Sequence, residues 1–367
     1  MAVDMDSARD LGVIGWRADA SLPVDMPPDR HLARVVAQHR NGYVLNDGAL
    51  HAGLHEFPAQ PAPRFLRRTA DPSLRPAVGD FVFIDRAKPA IIHEVLPRRT
   101  TLSRAAAGER YARQVIATNI DYVFVLMGLD GDFNPRRIER YLLLIQGSGA
   151  LPVIVLTKAD KVQEEALYTS LDALRAQLPA QIDIRAINAK NAASIEPLLG
   201  YLQRGDSVVL VGSSGAGKST LTNTLLGTER QATKDVREHD SRGRHTTTHR
   251  SLITLPSGGC LIDTPGMREL KLTGEEDLAA ASFTDIETLA LECRFGDCTH
   301  SNEPGCAVRA ALESGVLDPA RWASFQKLRG ELAAANDSLE AQLERKAGAR
   351  VANKALGKRL IDKYGRR

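Results

Sequence analysis

The residues with the clearest chemistry are Gly212-Ser213-Ser214-Gly215-Ala216-Gly217-Lys218-Ser219, which match the pattern G-x-x-x-x-G-K-S. They follow an apolar run at 208–211 and precede a segment of helical spacing at 219–226. Strand, loop and helix therefore stand in the order that a phosphate cradle requires. Glycines let backbone N–H groups turn inward around phosphate oxygens, and the N-terminus of the helix adds a field that favours an anion. Lys218 is spaced to reach the terminal phosphates of a nucleotide and Ser219 to ligate Mg2+. Such a loop touches no base, so it does not separate ATP from GTP.

Thr157-Lys158-Ala159-Asp160 can make that distinction. It follows the apolar run 153–156 and resembles N-K-x-D, in which a carboxylate accepts from N1–H and the exocyclic amine of guanine. Adenine has no such donor pair and would leave Asp160 without its partners. Thr157 stands where Asn is usual, and the same four residues also fit a polar strand-to-helix cap. After the next expected strand, Asn188-Ala189-Lys190 resembles the S-A-K loop, in which a backbone N–H, here that of Ala189, reads guanine O6. Downstream of the phosphate loop, Asp263-Thr264-Pro265-Gly266 resembles D-x-x-G: Asp263 would act on Mg2+ through water, and the Gly266 N–H would sense the γ-phosphate.

Between these motifs lies Arg242-Gly243-Arg244-His245-Thr246-Thr247-Thr248, in the place of a first switch, with Thr247 the candidate to complete the Mg2+ shell. Met267 follows Gly266 where Ras-like enzymes carry a water-orienting Gln. His245 is the candidate for that task, since an imidazole can orient or accept from water near neutral pH. A solvent-facing loop histidine is the competing reading.

A second chemical cluster is Cys293-x4-Cys298-x-His300-x5-Cys306. Three thiolates and an imidazole within fourteen residues supply a closed tetrahedral set for a structural Zn2+. The fourth cysteine, Cys260, lies on an apolar run and reads as a small core residue. At the C-terminus, residues 341–367 hold nine Lys or Arg against Glu344 and Asp362, which suits either RNA phosphates or a solvated helix face. Over the whole chain the net charge is only +3 at 25% charged residues, so local rather than overall charge must name a partner. No apolar run approaches the roughly 18 residues of a membrane span, and the acidic start Met1-Ala2-Val3-Asp4-Met5-Asp6 lacks a secretory pattern. A cytoplasmic protein with no membrane contact is expected.

The elements that must position these groups follow from periodicity. At 367 residues, two or three domains are expected. Residues 1–30 read as a poorly ordered or loosely packed arm. Short alternating runs within 31–105 (34–37, 42–45, 81–84 and 90–95), bounded by Gly, Pro, Asn or Asp, indicate an OB-like β-barrel. Over 106–273, apolar runs at 122–127, 153–156, 182–187 and 208–211 alternate with helical segments, and the pair 252–255 and 260–262 reads as a hairpin. That alternation implies a parallel sheet covered on both faces, an α/β P-loop GTPase domain. A helical, zinc-binding domain is expected over 274–340, followed by the basic tail 341–367.

The guanine motifs precede the phosphate loop, the reverse of the usual order, so the domain reads as circularly permuted. Both new chain ends then carry added domains, and movement at Asp263–Glu269 would pass along the chain into the C-terminal region. The permuted order, G-R-H-T-T-T before D-T-P-G, the barrel and the C-x4-C-x-H-x5-C cluster together resemble the YjeQ family of bacterial ribosome-biogenesis GTPases. The resemblance covers about residues 31–330. It implies ribosome-stimulated GTP hydrolysis during late maturation of the 30S subunit, with binding to 16S rRNA, GTP and GDP, one Zn2+, Mg2+ with GTP, and action as a monomer. Carried over by position, the nucleotide residues are Gly215, Gly217, Lys218, Ser219, Thr220, Lys158 and Asp160, and zinc falls on Cys293, Cys298, His300 and Cys306. Two other classes fit parts of the pattern: a nucleotide-gated module on tRNA or mRNA, and a P-loop kinase or ATPase acting on a small molecule. Competition of ATP against labelled GTP separates the last from the rest. Wild type is expected to favour GTP, and Asp160→Asn to lose that preference.

Overall fold

The computed structural model describes residues 10–17, 29–39, 41–49, 56–69, 71–85, 87–105, 113–228, 250–264 and 283–337. Five strands open the chain: β1 (His31–His39), β2 (Gly42–Asn46), β3 (Glu56–Pro61), β4 (Phe81–Asp85) and β5 (Ala90–Val95), with the short helix α1 (Pro63–Arg68) between β3 and β4. Pairing runs β1–β2–β3–β5–β4 and returns from β4 to β1, which closes a barrel and leaves no edge within it. Alternate residues point inward: Ala33, Val35, Leu45, Ala59, Val82, Ile84, Ala90 and Ile92 form the barrel core. Strand β3, absent from the expected runs, carries Pro58 and Pro61, residues that suit few strands, and pairs antiparallel to β2 and parallel to β5.

The expectation of a loosely packed arm over 1–30 fails for residues 10–17. Leu11–Ile14 is a single 3-10 turn capped by Asp10, whose carboxylate accepts from the Gly12 N–H at 3.0 Å. Ile14 is fully buried, and Trp16 packs edge-on to Phe81 at 4.8 Å. One turn is too short to show periodicity, which is why the sequence pattern missed it.

A hairpin of β6 (Thr101–Ala105) and β7 (Arg113–Thr118) leads into the α/β region. There β8 (Tyr122–Gly128), α2 (Pro135–Gln146), β9 (Leu151–Thr157), α3 (Glu164–Arg175), β10 (Asp183–Ala186), β11 (Ser207–Gly212) and α4 (Lys218–Leu226) alternate as expected. Between β10 and β11 the chain forms a nine-residue 3-10 helix, Ala193–Tyr201, with Pro197 inside it. Strands β12 (Ser251–Thr254) and β13 (Cys260–Asp263) form the expected hairpin. Sheet order is β10-β9-β8-β11-β13-β12, with every pair parallel except β12–β13. Both faces are covered. Val123 and Val125 of β8 face a core that includes Tyr141 and Leu144 of α2, while Phe124 and Leu126 face Leu221 and Leu225 of α4. A single bridge, Ala37 to Ser251, joins β1 to β12, so barrel and α/β sheet run on as one eleven-stranded sheet.

Helices α5 (Thr284–Leu291), α6 (Ala307–Glu313) and α7 (319–337) follow. Phe283, Ile286, Val308, Leu317 and Phe325 share one core with α2 and β8. Polar contacts fix the same junction. Glu139 of α2, almost fully buried, accepts from Arg136 at 2.8 Å, from Arg321 at 2.7 Å and from the Ser324 hydroxyl at 2.8 Å. Arg321 also pairs with both oxygens of Asp285, at 2.7 and 2.8 Å.

The barrel meets the α/β region around Arg34 of β1, whose side chain is wholly buried. Its guanidinium donates to the carbonyls of Gly79 (3.1 Å), Ile14 (2.6 Å) and Asn119 (2.9 Å) and to the Ser207 hydroxyl (2.8 Å), and it lies 4.7 Å from the Phe81 ring centre. Burial pushes its pKa down, while the charges of Asp121 and Asp80 work in the other direction. Arg34→Met would keep much of the volume and remove the guanidinium from four buried acceptors, of which Gly79 O keeps a bond from the Asn119 amide, at a cost of about 3 kcal/mol or more. Chemical denaturation is expected to show that loss as a lower midpoint, with barrel and α/β region unfolding together.

Candidate functional site

The candidate nucleotide residues gather at the C-terminal edge of the parallel sheet. Gly212 at the end of β11 lies opposite Leu126, Gly128 at the end of β8 lies opposite Thr157, and β13 ends beside them at Asp263. Helix α2 leaves β8 on one face and α4 leaves β11 on the other, so a crevice opens between these strands, where ligands of open α/β sheets bind.

In the phosphate loop, Gly217 takes φ 92° and ψ 11° as the residue before α4, a left-handed turn that aims the first helical N–H groups into the loop. Ser214 and Gly215 face solvent, and Ser219 and Thr220 are half-buried in the first turn of α4. The Lys218 ammonium donates to the carbonyls of Gly212 (2.8 Å) and Ser213 (2.6 Å), which holds it across the mouth of the loop. Thr264 donates its hydroxyl to Leu210 O at 2.8 Å, tying the start of D-x-x-G to the strand that feeds the phosphate loop.

On the base side, Thr157 is fully buried, and its hydroxyl donates to Ala216 O at 2.8 Å. The residue that departs from the usual Asn therefore supports the phosphate loop from below. Lys158 adopts a left-handed conformation (φ 61°) and pairs with Asp130, while Asp160 is exposed on the turn Ala159–Lys161. The Asn188 side chain accepts from the Lys190 N–H at 3.0 Å and so caps its own loop. Ala189 is buried, and its carbonyl accepts from the Thr224 hydroxyl of α4 at 2.6 Å. Three segments distant in sequence, 157–160, 188–190 and 212–226, are thus bonded to one another or through shared strands. Thr247, His245 and Gly266 lie outside the described residues, as does the basic tail. Sequence reasoning passed over Asp130 and Asp132, which touch Lys158 and the Ser213 hydroxyl. Their only signal was an acidic D-G-D turn after a strand, and such turns are ordinary.

The Cys/His group is compact. The ligand atoms of Cys293, Cys298, His300 and Cys306 all lie within 4.8 Å of one another. His300 Nδ1 is 3.5 Å from the sulfurs of Cys293 and Cys306, which are 3.9 Å apart. A tetrahedral ion with bonds of about 2.3 Å to sulfur and about 2.0 Å to nitrogen would set those separations at roughly 3.5 and 3.8 Å. The four residues therefore fit a metal ion. Cys306 also caps α6, its sulfur accepting from the Arg309 N–H at 3.4 Å, and Trp322 packs edge-on to the His300 ring at 5.6 Å. Glu303, which the sequence reading left out, folds the loop between ligands. The Thr299 hydroxyl and the N–H groups of Thr299 and Ser301 bond its carboxylate, pulling its pKa down to about 2.

Comparison with known proteins agrees with this arrangement. A family model described as RsgA GTPase matches residues 95–273. Proteins named small ribosomal subunit biogenesis GTPase RsgA are similar along nearly the whole chain. That of Xanthomonas oryzae pv. oryzae (strain MAFF 311018) is 56% identical over 96% of this chain and 93% of its own length. The chain belongs to the RsgA GTPase family. The corresponding protein of Xanthomonas euvesicatoria pv. vesicatoria (strain 85-10) is 55% identical over the same shares. Among solved structures, YjeQ from Thermotoga maritima matches with a TM-score of 0.58 at 25% identity, covering 83% of this chain and 99% of that one. YloQ, a circularly permuted GTPase, shares the fold with a TM-score of 0.57 at 20% identity, over 86% of this chain and 98% of its own. Like other RsgA GTPases, the chain is a hydrolase acting on GTP, with its α/β domain in permuted order. No described helix is long and apolar enough to cross a membrane.

The metal fit has a direct consequence. Cys306→Ser removes a ligand and weakens a cap, so bound metal, measured by elemental analysis, is expected to fall from about one equivalent per chain toward none, with a drop of several degrees in Tm.

Proposed function

We propose that the protein hydrolyses GTP during late maturation of the 30S ribosomal subunit, binds the subunit through 16S rRNA in a nucleotide-dependent way, and leaves on ribosome-stimulated hydrolysis. The observation that carries this is the end-to-end likeness, at 56% identity, to proteins named for small-subunit biogenesis. The site geometry supports it, since phosphate loop, T-K-A-D turn and Asn188 loop meet at one sheet edge.

In this reading Lys218 and the N–H groups of Gly212–Ser219 hold the β- and γ-phosphates, while Asp160 and the Ala189 N–H read guanine. Ser219, in the first turn of α4, and Asp263, at the end of β13, fit a cation carried with the nucleotide, with Thr247 joining them. Mg2+ bound there supplies positive charge to the oxygens that gain negative charge as the γ-phosphate leaves. The Gly266 N–H senses that phosphate, and His245 orients water in place of the missing glutamine. The carbonyls of Gly212 and Ser213 hold the Lys218 ammonium over the loop, where it is oriented toward the phosphates. The Cys3His group holds one Zn2+, which supplies structural cross-linking of the loop 293–306, its donor set leaving no position for catalysis. Barrel, metal-binding region and basic tail flank the GTPase domain as the surfaces for rRNA. The protein works as a cytoplasmic monomer.

The test is GTP turnover with and without purified small subunits. Stimulation of tenfold or more is expected, declining as salt rises because phosphate contacts release counterions. Absence of stimulation at low salt would overturn the proposal.

A further inference from the structure

Two carboxylates on one short turn each hold a different nucleotide motif. After β8 the chain runs Leu129-Asp130-Gly131-Asp132-Phe133 to Asn134, whose side chain caps α2. Asp130 pairs with the Lys158 ammonium of the T-K-A-D turn. Asp132 accepts from the hydroxyl of Ser213, the second residue of the phosphate loop, and from the Arg137 guanidinium. The turn is also bonded to β9, through the Leu129 N–H to Thr157 O at 3.0 Å.

The surroundings are shaped for the first pair. A Cβ on Gly128 would lie 2.6 Å from Asp130 Oδ1 and 3.2 Å from Lys158 Nζ, so the absence of a side chain there makes room for both groups. Burial works to raise the Asp130 carboxyl, but the Lys158 ammonium and the Asp132 N–H outweigh it and hold the pKa below the ordinary range. The carboxylate is therefore charged at neutral pH. Its lysine, which has four rotatable bonds, is confined to one side of the site by that pair.

We propose that Asp130 and Asp132 are positioning residues of the nucleotide site, Asp130 fixing Lys158 on the base side and Asp132 fixing Ser213 on the phosphate side, so that one turn sets the spacing of the two grips. This rests on assigning Lys158 and Ser213 to the nucleotide site. The gain is preorganisation. A long side chain and a loop hydroxyl ordered in advance do not have to be ordered by the ligand. With its ammonium neutralised by Asp130, Lys158 presents its methylene stem, an apolar surface that suits the flank of a purine.

Titration of the full chain with fluorescently labelled GDP tests it. Asp130→Ala is expected to weaken GDP binding about fivefold, the scale of a half-exposed charged pair, and Asp130→Asn, which keeps an acceptor for Lys158, to recover part of that loss. Because Asp130 acts through Lys158, the double variant with Lys158→Ala is expected to bind no more weakly than Lys158→Ala alone. Asp132→Ala and Ser213→Ala are expected to show the same non-additivity. A merely structural turn would instead lower Tm for every variant and give additive effects on binding. Wild-type affinity in Asp130→Ala, or additive losses in either pair, would overturn the positioning role while leaving the GTPase reading intact. Failure of wild type to bind GDP, or equal competition by ADP, would overturn the nucleotide assignment on which it rests.

Discussion

A buried guanidinium is the constraint on which the architecture turns. Arg34 cannot leave its donors without acceptors, and the acceptors come from four separate places: the N-terminal turn at Ile14, the barrel at Gly79, the connector at Asn119 and the head of β11 at Ser207. Only when all four are in register is the charge solvated by the protein. The group thus disfavours any arrangement in which barrel and α/β sheet form separately and then tumble. Asn119 adopts a left-handed backbone (φ 50°), and this conformation presents its carbonyl to Arg34 while its side chain bonds Gly79 O at 3.1 Å. Ser207 opens β11, the strand that ends in the phosphate loop. The anchor of the barrel and the nucleotide loop therefore lie at opposite ends of one central strand.

That strand explains why reversing the motif order costs the site nothing. Parallel strands are ordered in space by their pairing partners, and β11 sits between β8 and β13 whatever the chain does at its ends. The Thr157 hydroxyl on Ala216 O and the Thr224 hydroxyl on Ala189 O are contacts between segments, so they depend on adjacency in the sheet and on no particular connection. What permutation changes is the position of the termini. One end of the domain becomes continuous with the barrel through β7 and β8, and the other continues past β13 toward the Cys/His region.

Much of this was legible in the residues. The eight-residue phosphate loop and the Cys3His spacing carry their geometry locally, because a turn or a ligand set spans few residues. The parallel strands showed as apolar runs since both of their faces are covered. What stayed hidden depended on distant partners. Strand β3 exists because β2 and β5 offer it two edges, which outweighs Pro58 and Pro61. The turn at 11–14 is held by burial of Ile14 and by Arg34, and nothing in its own sequence marks it. Thr157 read as a weakened guanine motif; only the structure reveals that a buried hydroxyl can brace the phosphate loop from that position. Asp130 and Asp132 gained meaning only from a sheet order that sets β8 beside β11.

The helix that follows those two aspartates links the nucleotide edge to the metal-binding region. Its first turn holds Arg137, bonded to Asp132, and Arg136, bonded to Glu139 and at 2.6 Å to Asp318. One turn further, Glu139 takes Arg321 and Ser324 of α7, and Arg140 takes Glu331. A helix is stiff along its axis, and this one is packed on both β8 and the C-terminal core, so it moves as a unit or not at all. Glu139 cannot be uncovered cheaply, because separation would leave buried charges without partners. A shift of α2 would therefore act on α7, the helix that also carries Trp322 against His300. The rigid contact between α2 and the metal-binding region makes the nucleotide edge and the Cys/His loop two ends of a single packed unit.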